Sequence, residues 1–302
     1  MEKRFYSNGK LLLTGEYLVL DGATALAVPT KFGQDMVVSP GDNDQIKWRS
    51  VDHDATVWFE GVLPFAEIKD PGTVEHSVRG VLINILHEAY KLNNKLLEGN
   101  GYEISTHLSF PRFWGLGTSS TLINNIAAWL SIDPFVLLKN SFGGSGYDIA
   151  CAQHPTPILY RIENGLPVVK EVAFNPPFAH HLYFVYLNRK QSSKAAIASY
   201  HNNSRQGLQD SIGAVDQMTQ TLLSTENPGV FARTLEKHEA LLSSILEMQT
   251  VAEAFFPDFD GVVKSLGGWG GDFVLAMAKK DPADYFREKG FETVIPYREM
   301  VL

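Results

Sequence analysis

The chain has 302 residues, of which 44% are hydrophobic and 20% charged, and a formal net charge of −8. Such a length carries one large core or two modest ones, and two is the better expectation. The acidic balance, with no long Lys/Arg run, argues against nucleic acid as a partner, because phosphates call for a basic face. Cys151 is the only cysteine, which excludes an intramolecular disulfide and a cysteine-based zinc site and fits a cytoplasmic location. The apolar run at residues 11–13 is too short for a signal peptide or a span, so no membrane partner is expected.

In chain order, the first sixty residues read as short strands: LLLTGEYLVL, ATALAVP, DMVVS, QIKWRS and ATVWFE are β-rich and punctuated by Gly, Pro and Asp. The spacing of Val78, Val81, Leu82, Ile85 and Ala89 predicts a helix over 77–92. The segment EISTHLS alternates, with Ile104, Thr106 and Leu108 on one face and Glu103, Ser105 and His107 on the other, and reads as a strand. PRFWGLGTSS follows at 111–120. Behind it Leu122, Ile123, Ile126, Ala127 and Leu130 mark an apolar helix face, with Thr118 or Ser119 as N-cap.

FNPPFAH, around Pro176 and Pro177, is the best candidate for a domain boundary, which gives domains over 1–175 and 176–302. The second half reads as a strand (HLYFVYL), helical pieces over 192–246, a strand near VVKSL, a glycine loop (GGWGG), a strand (FVLAMA), a short helix (PADYFREK) and a last strand (TVIPYRE). That order has βαββαβ character. There is no internal repeat and no low-complexity tract.

Three glycine-bearing stretches carry the chemistry. A loop that opens a helix binds anions, because the first helical N–H groups lack partners and the dipole is positive there. PRFWGLGTSS meets those conditions, although it lacks the lysine of the common nucleotide loop. On that stretch alone, a tight strand–helix turn with hydroxyl caps accounts for it equally well. SNGKLLLTGEYLVLDG at 7–22 sets Lys10 ahead of an apolar run and Glu16 after a Thr-Gly pair; lone charges at strand ends are usually solvated. In FGGSGYDIACA at 142–152, Asp148 caps a helix or sits in a cleft with a partner.

GKLLLTGEYLVLDG, P-x-x-x-GLGTSS, SGYD and KSLGGWGGD, in that order from residue 9 to beyond 271, are similar to the ordered motifs of the GHMP kinases. These enzymes are named for galactokinase, homoserine kinase, mevalonate kinase and phosphomevalonate kinase. On these motifs the chain is identified as a member of that family, with the nearest likeness to its mevalonate-pathway branch and a GYDIA sequence as its mark.

The resemblance implies an α+β, two-domain fold: an N-terminal domain like the second domain of ribosomal protein S5 and a ferredoxin-like C-terminal domain. It implies ATP and Mg2+ as cofactors and a small-molecule substrate, mevalonate or phosphomevalonate, in isoprenoid precursor synthesis; a homodimer is compatible with it. By motif position Asp148 corresponds to the catalytic aspartate that takes or orients the proton of the acceptor hydroxyl. Lys10 corresponds to a lysine that stabilises charge on the transferring phosphate. Gly115, Leu116, Gly117, Thr118, Ser119 and Ser120 form the ATP loop, and Ser119 matches the hydroxyl that ligates magnesium. Glu16, Ser145, Gly267, Gly268, Gly270 and Gly271 fall on the substrate side. Ser192, Ser193 and Lys194, in NRKQSSKAAIASY, resemble a substrate-side loop, and exposed-surface roles suit them as well.

The chain departs from the pattern in three places. Mevalonate kinases carry a magnesium-holding glutamate ahead of S-G-x-D; here Asp133 is the only acid between Ser119 and Asp148. Trp269 stands where relatives have a smaller residue, and Asn8 where many have proline. A diphosphomevalonate-decarboxylase-like activity, or a pseudokinase that binds nucleotide without chemistry, are the alternatives. No histidine pair has metal-ligand spacing: His180 and His181 are adjacent on an expected strand and point to opposite faces. GLGTSS is not the dinucleotide-binding G-x-G-x-x-G. Cys151 reads as a small buried residue, and Phe113–Trp114 suits adenine stacking and core packing equally.

Overall fold

The computed structural model describes residues 1–73, 76–189, 200 and 207–302. Ser192, Ser193 and Lys194 lie outside the described residues. The contacts gather into two compact units. One comprises Met1–Gly9, Phe32–Arg112 and Leu116–Gln153; the other comprises Lys10–Lys31, Phe113–Gly115 and His154–Leu302. The chain thus enters the second unit at residue 154, ahead of the expected 175/176 boundary, and residues 10–31 belong to it as well. Strands β1 (Lys3–Leu12) and β2 (Ala25–Pro40) contribute residues to both units.

In the first unit, β2 residues 34–40 pair antiparallel with β5 (Tyr102–Leu108). β5 runs parallel to β3 (Gln45–Val51), and β3 pairs antiparallel with β4 (Val57–Pro64). Residues 25–40 form one strand where two were expected. The Pro29–Thr30 pair interrupts the sequence pattern without interrupting the extended backbone. β5 buries Ile104, Thr106 and Leu108 and exposes the alternate residues, as its period of two requires.

Helices α1 (Phe65–Lys69) and α2 (Val78–Leu92) follow β4. Ser77 caps α2 by accepting from the Gly80 N–H at 3.0 Å. Leu82, Ile83, Ile85, Leu86 and Ala89 form the buried stripe of α2; Val78 in the first turn and Val81 at its margin are exposed. After β5 come α3 (Thr118–Leu130), α4 (Pro134–Ser141) and α5 (Tyr147–Gln153). Trp48, Met36, Leu86, Ile104 and Ile126 are among the side chains of their shared core. α3 also buries a polar face: Ser7 Oγ donates to Asn125 Oδ1 at 2.7 Å, and Asn125 Nδ2 donates to the Gln34 carbonyl at 2.9 Å.

In the second unit, β1 ends at Leu12, and the amides of Leu13 and Thr14 both reach the Leu26 carbonyl. Gly15, at φ +87°, turns the chain, and residues 18–21 close into a 3-10 turn where a continued strand was expected. β2 residues 25–27 pair with β6 (Ile158–Glu163), and β6 with β7 (Leu166–Glu171). A separate antiparallel sheet has the order β11-β8-β10-β9, from β8 (Leu182–Tyr186), β9 (Val262–Ser265), β10 (Phe273–Met277) and β11 (Val294–Pro296).

Between β8 and β9 run α6 (Leu208–Ser224), α7 (Pro228–Leu246) and α8 (Val251–Phe255). Asn227 caps α7 with Pro228 in its first turn, and Thr250 and Glu253 form a reciprocal capping box on α8. α9 (Ala283–Glu288) and α10 (Tyr297–Met300) flank β11. His180 and His181 lie in a 3-10 turn before β8, where the tight backbone brings their rings to 4.0 Å of each other rather than to opposite faces. Among the described residues no helix is long and apolar enough to cross a membrane.

Candidate functional site

The segment 111–120 is divided between the units: Phe113–Gly115 belongs to the second, and the residues on either side to the first. Gly117, left-handed at φ +98°, is the N-cap of α3 and offers no side chain. The expected cap from Thr118 or Ser119 is thereby corrected, since both are already helical. The left-handed backbone explains the glycine. It leaves the first-turn hydroxyls for other work: Thr118 Oγ1 donates to the Arg112 carbonyl at 3.3 Å, Ser119 is exposed, and Ser120 is buried.

Ser120 Oγ donates to Asp148 Oδ2 at 2.5 Å, while Asp148 Oδ1 accepts the Ile149 N–H at 3.1 Å. Asp148 occupies the first turn of α5, and Ser145 lies half-buried in the glycine turn leading into that helix. The first unit therefore joins the loop helix to the SGYD motif through one short bond. Asp133 is spent elsewhere: its Oδ1 caps α4 through the amides of Phe135 and Val136. Among the described residues no group of three or more His, Cys, Asp or Glu side chains is arranged to hold a metal ion.

In the second unit, Lys10 Nζ donates to the Gly115 carbonyl at 2.9 Å. Gly115 stands at φ +69°, and a β-carbon there would overlap the Asp272 carboxylate. Trp114 packs edge-on to Phe273 with centroids 5.5 Å apart, and the Tyr186 hydroxyl donates to the Phe113 carbonyl at 2.9 Å. Phe113 itself is exposed.

Glu16 is 2% exposed, and its Oε1 accepts Lys264 Nζ at 2.5 Å. Burial raises the Glu16 carboxyl above its ordinary range, with Lys264 opposing that shift. Burial likewise raises Glu239, which accepts the Ser265 amide at 3.1 Å and hydroxyl at 2.8 Å. His238 is driven well below its ordinary value by burial and then by the Lys264 charge. It is therefore a neutral ring whose Nε2 accepts the Gly15 N–H at 3.1 Å.

No family model matches the chain, and no curated protein matches it. Solved structures do. The mevalonate kinase of Methanococcus jannaschii is 15% identical with a TM-score of 0.70, over 97% of this chain and 96% of its own. The phosphomevalonate kinase of Streptococcus pneumoniae, in complex with phosphomevalonate and AMPPNP, is 15% identical with a TM-score of 0.69, over 97% and 99%. The galactokinase of Lactococcus lactis, complexed with galactose, is 12% identical with a TM-score of 0.69, over 95% and 88%.

The chain has the GHMP kinase fold. Within it, the structure brings Ser120 to Asp148 and Lys10 to Gly115, and it places Glu16 in the interior beside Lys264. Gly267, Gly268 and Gly270 are half-buried and Gly271 buried in the loop between β9 and β10. Sequence reasoning missed three residues. Asp272 closes the loop against Gly115, Lys264 lies fully buried in β9, and His238 sits inside α7. A lysine within the apolar run VVKSL was the one legible signal among them, because buried lysines are rare unless paired.

Proposed function

We propose that the chain transfers the γ-phosphoryl group of ATP to a small hydroxyl- or phosphate-bearing metabolite, with mevalonate or phosphomevalonate as the favoured acceptor. The observation that carries this reading is the Ser120–Asp148 bond, which links the glycine-loop helix to an oriented carboxylate. The fold adds support, since its solved neighbours are mevalonate kinases, a phosphomevalonate kinase, a galactokinase and a heptose-phosphate kinase. In this reading the first unit has the S5-like domain type. The second has a ferredoxin-like part, as the order β11-β8-β10-β9 of its four-stranded antiparallel sheet supports.

Phosphoryl transfer needs positioning and charge neutralisation more than covalent help. The α3 N-terminus, freed of a side-chain cap, presents backbone N–H groups to the nucleotide phosphates. Where the acceptor is a hydroxyl, as on mevalonate, Asp148, fixed by Ser120 and the Ile149 amide, accepts its proton, a contribution of roughly 10²–10⁴ in rate; a phosphate acceptor attacks through an oxygen already ionised. Lys10 stabilises charge that develops on the transferring group. By motif position Ser145 falls on the acceptor side, and so do the glycines of 267–271. The exposed Ser119 hydroxyl and the Asp148 carboxylate are hard oxygen donors of the kind that hold Mg2+ together with nucleotide phosphates. When bound there, the ion neutralises phosphate charge.

A pseudokinase is the second reading, and Asp133 favours it: the only acid between Ser119 and Asp148 is consumed as a helix cap. Purified protein with ATP and Mg2+ should be offered mevalonate, phosphomevalonate, galactose and homoserine, with products identified by mass and any CO₂ collected. Phosphorylation of either isoprenoid precursor is expected. Turnover of another acceptor alone, or CO₂ release, would overturn the substrate assignment; nucleotide binding without turnover of any acceptor would establish the second reading.

A further inference from the structure

We propose that Glu16 is a positioning residue which, with Lys264 and His238, sets the conformation of the glycine loop over 266–272. The loop holds four glycines in seven residues. A glycine-rich backbone loses more freedom on ordering than any other, so its shape has to be imposed from outside. The structure shows what imposes it. Lys264, the third residue of β9, lies two positions before the loop with no exposed surface. Its ammonium bridges Glu16 Oε1 at 2.5 Å and the Ser265 carbonyl at 2.7 Å. Inside the loop, the Trp269 amide donates to the Tyr17 hydroxyl at 2.8 Å, and its indole N–H to the Gln249 carbonyl at 3.0 Å.

The turn at 15–17 is held in return. His238 accepts the Gly15 amide, and Tyr17 stands at φ +62°, a conformation that a bulky side chain keeps only where its surroundings over-determine it. Its ring packs among Tyr200, Val215, Leu242 and Trp269. Turn and loop thus fix each other through buried bonds.

The charges are the telling part. A buried ion pair is seldom worth more to stability than well-packed apolar residues of the same volume, because desolvation offsets the Coulomb gain. Its best-attested use is to enforce one geometry. Here the pair is surrounded by groups that make any other arrangement costly. Glu239 is committed to Ser265, and Glu16 Oε2 is buried 3.6 Å from His238 Nε2. At 2% exposure Glu16 offers almost no surface to a ligand, and its route to the acceptor is the loop that follows Lys264.

The kinetic part of this inference rests on the kinase reading, and the structural part does not. Amide hydrogen exchange at 266–272 should be compared for the wild type, Glu16→Gln, Glu16→Ala and Lys264→Met, beside Tm, kcat and KM. Glu16→Ala and Lys264→Met are expected to speed loop exchange at least about tenfold while the β8 and β10 amides stay protected. Glu16→Gln, which keeps an acceptor for Lys264, is expected to recover most of that protection. The acceptor KM should rise about tenfold in Glu16→Ala while kcat changes less than about threefold. Loop exchange that tracks global unfolding in every variant, or equal effects of Gln and Ala at position 16, would overturn the proposal. So would a kcat loss with KM unchanged. If Lys264→Met fails to fold, the Gln/Ala contrast alone decides. A wild type without turnover would overturn the kinase reading and leave the exchange comparison intact.

Discussion

Ser120 is where the loop helix and the SGYD motif meet, and its effect should be measurable apart from phosphate binding. Ser120→Ala removes a short hydrogen bond to a charged group, about 1.5–3 kcal/mol of orientation for Asp148. It should lower kcat by roughly ten- to a hundredfold, with the affinity for AMPPNP in calorimetry changed less than about threefold. Lys10→Met should cost about 10²–10³ in kcat/KM, as loss of a charge stabiliser does. Equal kcat/KM in the two proteins would remove that role. Gly115→Ala tests the backbone: it strains a φ of +69° and drives a methyl into Asp272. A loss of about 1–3 kcal/mol in denaturant unfolding is expected. Lys10, Gly115, Ser120 and Asp148 all stand on motifs that the family resemblance singles out. Ser120 as the partner of Asp148 was not legible, because 28 residues separate them and only the packing of α3 on α5 brings them together.

At the scale of elements, periodicity was readable wherever one face is apolar and the other wet. β5 alternates as its sequence does, and the helix over 78–92 begins at its serine cap. The reading was incomplete where burial falls on polar residues. In α3 the apolar stripe of Ile123, Ile126, Ala127 and Leu130 was visible. Its opposite flank, Ser120, Thr121, Asn124 and Asn125, is buried as well, through partners such as Ser7 and Gln34 that no local pattern announces. Asn125→Ala should leave Ser7 Oγ and the Gln34 carbonyl with lost partners and destabilise the protein by about 2–3 kcal/mol. A lowered urea midpoint with an unchanged slope would show it. The single strand over 25–40 and the 3-10 turn at 18–21 depend on long-range pairing and on Gly15, so propensity could not distinguish them from separate strands.

For the whole molecule, the buried cluster of Glu16, His238, Glu239 and Lys264 ties stability to pH. The folded chain keeps His238 neutral, whereas the unfolded chain takes up a proton as the pH falls through about 6.5, so acidification costs stability there. Glu16 and Glu239 act with the opposite sign. Their raised folded values make a contribution that is full below about 4.5 and lost as the pH rises through those values. His238→Gln should therefore lose less Tm than the wild type between about pH 7 and pH 5; an equal loss would assign the acid sensitivity to other groups. The most direct test of the central claim follows labelled γ-phosphate from ATP into mevalonate or phosphomevalonate, with wild-type protein and Asp148→Asn side by side. Transfer by the wild type is expected, with a rate to mevalonate about 10²–10⁴ lower in the variant and undiminished AMPPNP binding in both. Equal transfer to mevalonate by the two proteins, or none by the wild type to either acceptor, would contradict the claim.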